Sequence, residues 1–182
     1  MTDAGAPRLI RRHDDEIAEW IARELMIDRF RPTAAVGVVW RGMLIAGIGF
    51  IRPQPHLAEA VIAATDRHWA TKNVLFGIFA VPFGEWRVRR LTAATAVANA
   101  PVRRFLERLG FQFEGVARRA LKNGEDAAAY AMLADECPWY PAKIIKVQGR
   151  VTEGCDVGGT VFFERHRCRG GFAPGLGRGD RG

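Results

Sequence analysis

The chain has 182 residues, of which 48% are hydrophobic, 10% aromatic and 26% charged. This length and composition are those of one globular domain, which excludes a multidomain assembly, a fibrous chain and a wholly disordered chain. Its 27 basic and 20 acidic residues give a net charge of +7, so nucleic acid and phosphorylated molecules are electrostatically attractive partners. No run of about 18 apolar residues and no apolar signal-peptide core is present, so we expect a cytoplasmic protein that does not bind a membrane.

The distribution of glycine divides the chain into a body and a tail. Nine of the 20 glycines follow Gly149, where they interrupt every hydrophobic period. We therefore predict a mostly disordered, glycine-rich C-terminal tail over residues 149–182. Residues 1–11 are likewise predicted to be a disordered N-terminus. The folded domain is then expected over residues 12–148.

The first half of the body contains a helix followed by β-strands. Acidic residues at positions 14–16 favour a helix N-terminus, and the apolar side chains that follow recur at helical spacing. Two β-rich runs, residues 35–40 and 43–51, flank Arg41-Gly42 and predict an antiparallel hairpin. A third run, residues 57–64, follows a turn that contains two prolines. The apolar face of the predicted helix consists of Ile17, Trp20, Ile21 and Leu25.

Residues 69–86 have two interpretations from pattern alone. Leu75, Phe79 and Phe83 lie on one helical stripe, which predicts a helix. The same run is aromatic enough for a buried strand, and Pro82 would kink a helix. The pattern does not choose between the two.

The second half of the body is patterned more clearly. Residues 89–97 predict a strand, and Asn99 is a helix cap for the apolar face that follows it. Gly110 supplies the left-handed residue that ends such a helix. Together with the first half, these elements predict a mixed α/β domain. A last hairpin is predicted from strands at residues 111–121 and 127–133, which flank the turn pair Asn123-Gly124.

The stretch Asn99-Ala-Pro-Val-Arg-Arg-Phe-Leu-Glu-Arg-Leu-Gly-Phe111 is the most distinctive part of the chain. After its capped helix ending in Leu-Gly-Phe come a strand with Glu114-Gly115, a turn, and a last strand with Met132-Leu133. In this order the elements resemble the C-terminal half of the GNAT superfamily of N-acetyltransferases. The resemblance extends over residues 12–139 and implies a GNAT-like mixed, mostly antiparallel central sheet flanked by helices. Its fourth strand, residues 57–66, would splay away from its neighbour.

The resemblance also makes residues 74–86 the helix that follows the splayed strand. The closing Asp135-Glu136-Cys137-Pro138-Trp139 is similar to sequences of bacterial and prophage-encoded members of unknown substrate. What the superfamily implies for function is a transfer of acetyl from acetyl-CoA to an amine, on a small molecule or a peptide.

In this superfamily a loop of backbone N–H groups, leading into a helix N-terminus, binds the diphosphate of acetyl-CoA. Its motif is Arg or Gln, two residues, Gly, one residue, then Gly or Ala, and it falls here on residues 67–73. Arg67 is present, but Ala70 and Lys72 stand at the glycine-like positions. A left-handed backbone at Ala70 or Lys72 would cost about 1–2 kcal/mol per residue. The alternative interpretation is that Arg67 and Lys72 are ordinary exposed cations of the loop. The implied cofactor contacts are Ala64, Arg67, Ala70, Thr71, Lys72, Asn73, Asn99 and Arg103.

Proton transfer is the second requirement, because an amine with a pKa of ~10.4 is charged at neutral pH. Glu59 stands on the predicted fourth strand, in the region where many members hold their base, and Asp66 is the reserve candidate. Many members also have a tyrosine acid where this chain has Leu106. Tyr130 is a candidate substitute, with core packing as its alternative role.

Other catalytic chemistries lack the residues they need. The four histidines have neither metal-ligand nor triad spacing, so no metal is predicted, and the chain contains no serine nucleophile. Two alternatives to the enzyme are a non-catalytic binding module on the same fold and a phage-type protein that acts on nucleic acid. No pattern in the sequence identifies the acceptor or the oligomeric state.

Overall fold

The computed structural model of the protein describes residues 5–140. Its strands are β1 (Arg8–Ile10), β2 (Ala34–Trp40), β3 (Met43–Gln54), β4 (Leu57–Ala64), β5 (Arg90–Ala96), β6 (Gln112–Ala117) and β7 (Ala127–Leu133). Its α-helices are α1 (Asp14–Glu24), α2 (Lys72–Phe79) and α3 (Ala100–Leu109). A short 3-10 helix, Arg67–Trp69, precedes α2, and a π-helical turn, Ala80–Glu85, follows it.

The seven strands form one sheet in the order β1-β2-β3-β4-β5-β7-β6. All neighbours are antiparallel except β4 and β5, so the mixed, mostly antiparallel sheet is confirmed. The main apolar core joins α2 and α3 to one face, and α1 covers the other face over β2, β3 and β4. No helix within residues 5–140 has the length and apolarity to span a membrane. The predicted tail, residues 149–182, lies outside the described residues.

The N-terminal segment contributes a strand. The prediction of disorder over residues 1–11 is wrong for residues 8–10, because they form β1 and pair with β2. Leu9 packs closely on α2, where a Cβ at Gly77 would lie 2.1 Å from its Cδ1. Arg11 Nη1 then donates a 2.5 Å hydrogen bond to Glu85 Oε1. Three residues are too few for alternation to show in a sequence.

The first helix lies where the sequence predicts it. Ile17 and Ile21 are buried against Val61 and Ala63 of β4. The helix comes this close because Gly47 has no side chain, and a Cβ there would lie 2.7 Å from Ile21 Cγ1. This packing holds the end of α1 beside the end of β4, at one wall of the site described below.

The ambiguous segment is helical, with a change of pitch near its proline. The α-helix ends at Phe79 and widens into the π-helical turn that contains Pro82. Proline has no N–H to donate, and its ring displaces the preceding carbonyl, so a regular α-helix does not continue through it. The rings of Phe79 and Phe83 nevertheless stack in the core, with centroids 6.2 Å apart.

The last hairpin has a longer loop than its Asn-Gly pair predicts. β6 ends at Ala117, and nine residues separate it from β7. The loop is closed by Asp126 Oδ1, which accepts a 2.7 Å hydrogen bond from the N–H of Arg119. Gly124 has the expected positive φ of +82°, so the turn is in the predicted place but within a wider loop.

Acidic pH is expected to weaken the attachment of the edge strand β6 slightly. A hydrogen-bonded ion pair with Arg90 lowers the pKa of Glu114 below its ordinary value of 4.5. A carboxylate whose pKa is lowered on folding stabilises the fold above the unfolded value, and that stability is lost as the pH falls through the folded value. Because both side chains are more than a third exposed, Glu114→Gln should cost at most about 1 kcal/mol at pH 7. Urea unfolding at neutral and strongly acidic pH checks this, and an equal loss at both would contradict it.

Candidate active site

The two parallel strands at the centre of the sheet separate along their length. β4 and β5 pair at three positions only, Leu57 with Arg90, Ala58 with Leu91, and Glu59 with Thr92. β4 continues beyond Glu59 and β5 continues beyond Thr92, yet no further residues pair between them. The result is a wedge within the sheet, closed at Glu59 and widening toward Ala64. Strand edges that part in this way leave backbone N–H and C=O groups for another partner.

A large cleft opens at the wide end of this wedge. Its volume is about 1260 Å³, above the ~300–1,000 Å³ typical of small-molecule sites, so it has room for an extended ligand. Ile62 packs on the core side of the sheet and Ala63 on the α1 side, and both line the cleft. The cleft therefore reaches both faces of the sheet. Its other walls include Arg23, Arg67, Trp69, Asn99 and Arg108.

The turn between β4 and α2 has a different form from a glycine loop. Residues 67–69 make one 3-10 turn, capped by Asp66, whose Oδ1 accepts a 2.8 Å hydrogen bond from the N–H of His68. This bond, together with one from the His68 ring, keeps the pKa of Asp66 below its ordinary value of 3.8. No residue from 66 to 74 has a positive φ, so the substitutions at Ala70 and Lys72 store no left-handed strain. Instead, one backbone N–H of the turn, that of His68, donates to the Asp66 carboxylate.

The N-terminus of α2 keeps its amides available. Thr71 occupies the cap position of α2, but its side chain makes no capping hydrogen bond. The first turn of α2 carries no acidic residue, and Lys72 and Asn73 in that turn are exposed. The first N–H groups of a helix attract anions when no side chain satisfies them. This helix end, rather than the 3-10 turn before it, is therefore the better anion site.

Glu59 lies at the closed end of the wedge. It is 2% exposed and is the last residue of β4 paired with β5. Strand alternation places it on the α1 side of the sheet with Val61 and Ala63. It does not line the cleft, whose nearest β4 wall is Ile62, three residues or about 10 Å away.

Trp69 narrows the cleft without closing it. The indole is 3% exposed and lies against Phe105 of α3, with ring centroids 5.6 Å apart. Both rings belong to the main core and to the cleft wall. Asn99, at the start of the same helix, is both cap and wall residue, since its Oδ1 accepts from the N–H of Val102 at 3.4 Å.

Comparison with solved structures identifies the fold. No protein-family model and no curated protein matches the chain. Among solved structures, a GCN5-related N-acetyltransferase from Brucella melitensis shares 19% identity, over 73% of this chain and 78% of its own, with a TM-score of 0.55. A GNAT-family acetyltransferase from Bacillus anthracis shares 16%, over 74% and 98%, with a TM-score of 0.54. Mutant forms of the spermidine/spermine N-acetyltransferase SpeG from Vibrio cholerae share 13%, over 71% and 95%, with a TM-score of 0.55. The chain has the GNAT fold.

The GNAT resemblance read from residues 99–133 is thus confirmed at the level of fold. The predicted splay of the fourth strand is present, as is the capped helix that ends at Gly110 with a φ of +100°. Identities this low establish the fold and leave the reaction open. The chain also spans only 59% and 66% of the length of two further matched proteins.

Five of the ten residues predicted for the site line the cleft and five do not. Half of the residues predicted for the site line it: Ala64, Asp66, Arg67, Ala70 and Asn99. The other half lie outside the cleft wall: Glu59, Thr71, Lys72, Asn73 and Arg103.

Arg103 is turned toward the sheet. Its Nε donates to the Tyr130 hydroxyl at 3.2 Å and its Nη1 to the Val97 carbonyl at 3.3 Å. The same hydroxyl donates to Glu107 Oε1 at 3.1 Å, so Tyr130 joins Arg103 and Glu107 through two hydrogen bonds. Tyr130 is 1% exposed and does not line the cleft. These contacts give it the packing role rather than that of a substitute acid.

The sequence did not mark several wall residues. His68 lies within the diphosphate motif at a position where any residue is allowed, and Phe105 and Arg108 lie on α3. Arg23 belongs to the distant α1. All four line the cleft, and none was predicted as a ligand contact. The excess of basic residues in the sequence was the one signal that indicated a positively charged cleft wall. Within residues 5–140, no three metal-ligating side chains come together.

Proposed function

We propose that this chain is an N-acetyltransferase that moves acetyl from acetyl-CoA to an amine. The observation that carries the proposal is the wedge between β4 and β5, which leads from the buried Glu59 into a cleft open to both faces of the sheet. An extended acyl carrier and an amine can then meet from opposite sides, which holds the reacting atoms together and lowers the entropic part of the barrier.

The chain offers three kinds of contact to acetyl-CoA, whose thioester supplies the activated acetyl group. The uncapped amides of α2 can hold the diphosphate, while Arg67 and Arg108 add positive charge to the cleft. Asn99 uses its Oδ1 as a cap, and its Nδ2 makes no hydrogen bond within residues 5–140, so it can donate to a carbonyl of the pantetheine arm. The 3-10 turn forms part of the cleft wall, but the N–H of His68 does not bind the ligand because it already donates to Asp66.

Glu59 is our candidate for the base. Neutralising an amine of pKa ~10.4 at pH 7 costs about 4.6 kcal/mol, which a base at the point of attack reduces. Glu59 is placed where the wedge closes, so a thioester pushed fully into the wedge ends beside it. Asp66 is a weaker base, because the N–H and the ring of His68 lower its pKa.

The acceptor is proposed to be a small-molecule amine. A polyamine acetyltransferase shares the fold, and a cleft open to both faces gives a small amine its own path to the thioester. Leu106 is 1% exposed and offers no proton at the position of the usual tyrosine. A thiol with a pKa of ~8.5 leaves tolerably well as thiolate, so the reaction needs no acid there.

The rival function is a non-catalytic binding module, favoured by the same Leu106 and by the amide that Asp66 has taken. Calorimetric titration with acetyl-CoA, followed by thiol release across a panel of amines, separates the two. We expect saturable binding and turnover with at least one amine. Binding without turnover would favour the module, and no binding at millimolar acetyl-CoA would end both.

Asn99 offers a matched pair of variants. Asn99→Ala loses the cap of α3, which should lower the free energy of unfolding by about 1 kcal/mol, and also loses the donor to the pantetheine arm. Asn99→Asp keeps a capping oxygen but has no N–H group, so it should fold as stably as the wild type while binding acetyl-CoA more weakly. Urea unfolding and calorimetry measure the two effects. Unchanged affinity in both variants would remove Asn99 from the site.

A further inference from the structure

Two apolar side chains are exposed on one face of the edge strand β6. Phe113 is 47% exposed and Val116 is 48% exposed. A bulge between Phe113 and Gly115 shifts the register, so that Phe113 pairs with Tyr130 and Val116 with Ala128. Tyr130 and Ala128 belong to the main core. Phe113 and Val116 therefore lie on the same face of the sheet as α3, but this helix leaves them uncovered.

Cations from two elements border this apolar pair. Arg103 of α3 lies over the Phe113 ring, with its Cζ 5.7 Å from the ring centroid. Arg104 follows it on the helix and is exposed. Immediately after β6 come Arg118 and Arg119, which are also exposed. We define the β6 surface by six residues: Phe113, Val116, Arg103, Arg104, Arg118 and Arg119.

A chain of hydrogen bonds holds these two elements together. Arg103 Nη1 donates to the Val97 carbonyl at 3.3 Å, and the N–H of Val97 donates to the Asp126 carbonyl at 3.0 Å. Asp126 Oδ1 in turn accepts from the N–H of Arg119 at 2.7 Å. The start of α3 and the end of β6 are therefore fixed relative to each other, and cations of both elements border the same apolar pair.

The exposed cations of the β6 surface have no carboxylate partner in the part of the chain that the structure describes. The side chains of Arg104, Arg118 and Arg119 form no ion pair and no hydrogen bond within residues 5–140. Two nearby carboxylates are already engaged, since Glu114 is in an ion pair and Glu107 accepts from a tyrosine hydroxyl. Unpaired like charges repel one another, and a polyanion relieves that repulsion.

The choice of cation indicates which kind of polyanion fits. Of the 27 basic residues of the chain, 4 are lysine and 23 are arginine. A guanidinium group binds two phosphate oxygens at once and also stacks on flat rings, whereas an ammonium group is a point charge. Arginines beside an exposed phenylalanine are the combination that binds phosphates and unpaired bases together.

We propose that the β6 surface binds a single-stranded nucleic acid. Bases stack on the Phe113 ring and lie against Val116, while the arginines bind the neighbouring phosphates. A duplex keeps the faces of its bases inside the helix, so only a single strand can use the exposed ring. None of the six residues lines the cleft, so this site is separate from the proposed acetyl-CoA site and does not depend on it.

The test is the fluorescence anisotropy of a labelled oligothymidylate of about 12 nucleotides, titrated with the whole protein. We expect saturable binding. The Kd should rise about 20-fold from about 50 mM to about 200 mM NaCl, which corresponds to the neutralisation of about three phosphates. Phe113→Leu keeps an apolar side chain but removes the ring, so its Kd should be about tenfold higher than that of the wild type.

The contribution of charge is measured with a matched pair of double variants. Arg104→Gln with Arg118→Gln removes two cations of the β6 surface, so binding should weaken and the salt effect should fall to about threefold. Arg29→Gln with Arg31→Gln makes the same change of charge in the exposed loop before β2. This control should change the Kd by less than about twofold, because the two arginines lie outside the site. Urea unfolding shows that each variant is folded.

Three results would overturn the proposal. The first is no binding of the oligothymidylate at low salt, or an equal loss of affinity in the two arginine pairs. The second is equally tight binding of a polyglutamate of the same length, which would show that charge alone is recognised. The third is a wild-type dimer, seen by sedimentation, that Phe113→Leu dissociates, because a second copy of the chain would then occupy the β6 surface.

Discussion

Replacing Glu59 with glutamine is expected to slow acetyl transfer by about 10²–10⁴-fold, which is the usual contribution of a positioned general base. The change keeps the size of a side chain that is 2% exposed and enclosed between β3 and β5. Because Glu59 lies outside the cleft wall, the Kd for acetyl-CoA should change little. Steady-state rates with the best amine of a panel, measured against pH, test the effect.

The variant needs a fold control because its carboxylate is buried. Urea unfolding shows whether Glu59→Gln remains native, and acetyl-CoA titration shows whether its cleft is intact. Asp66→Asn serves as the comparison, since Asp66 is the reserve candidate for the base and lines the cleft. If Asp66→Asn lowers the rate of acetyl transfer at high pH and Glu59→Gln does not, the base is Asp66 and not Glu59.

Replacing Trp69 with alanine is expected to lower the free energy of unfolding by about 3 kcal/mol. The indole is 3% exposed and packs on Phe105, so its loss removes a large part of the contact between the turn and α3. The estimate is at the low end for a buried tryptophan because the new space joins an existing cleft and can fill with water. A domain of this size has about 5–15 kcal/mol of stability in total, so the loss is large.

Trp69→Phe is the matched control for this loss. It keeps a ring against Phe105 and should cost less than half as much. Chemical denaturation of both variants gives the two values. If Trp69→Ala is as stable as the wild type, the indole does not pack on Phe105 in the cleft wall as the structure shows.

The fold followed from sequence because its elements are locally encoded. α1 has its acidic first turn and apolar face, and α3 has an asparagine cap and a glycine end, so each helix is bounded by its own residues. The β2–β3 hairpin is likewise marked by Arg41-Gly42. β1 was not predicted, because three residues are too few to show a hydrophobic period. Leu9 of this strand is fixed by a long-range contact with α2, which a local pattern does not show.

The site was predicted less well, since its shape depends on how one turn uses its hydrogen bonds. A motif alignment could place residues 67–73 near a diphosphate, but it could not show that Asp66 would take the amide of His68. The alignment also predicted left-handed backbone strain at Ala70 and Lys72. The 3-10 turn has no such strain, because none of its residues has a positive φ. Wall residues from α1, such as Arg23, become neighbours only through the tertiary fold.

The most direct measurement is a crystal structure of the protein soaked with coenzyme A. We predict that the pantetheine arm lies between β4 and β5 with its sulfur near Glu59 and Thr92, and that the diphosphate contacts the first turn of α2. Coenzyme A bound away from the wedge, or a wedge occupied by the Trp69 indole with no ligand density, would contradict the account.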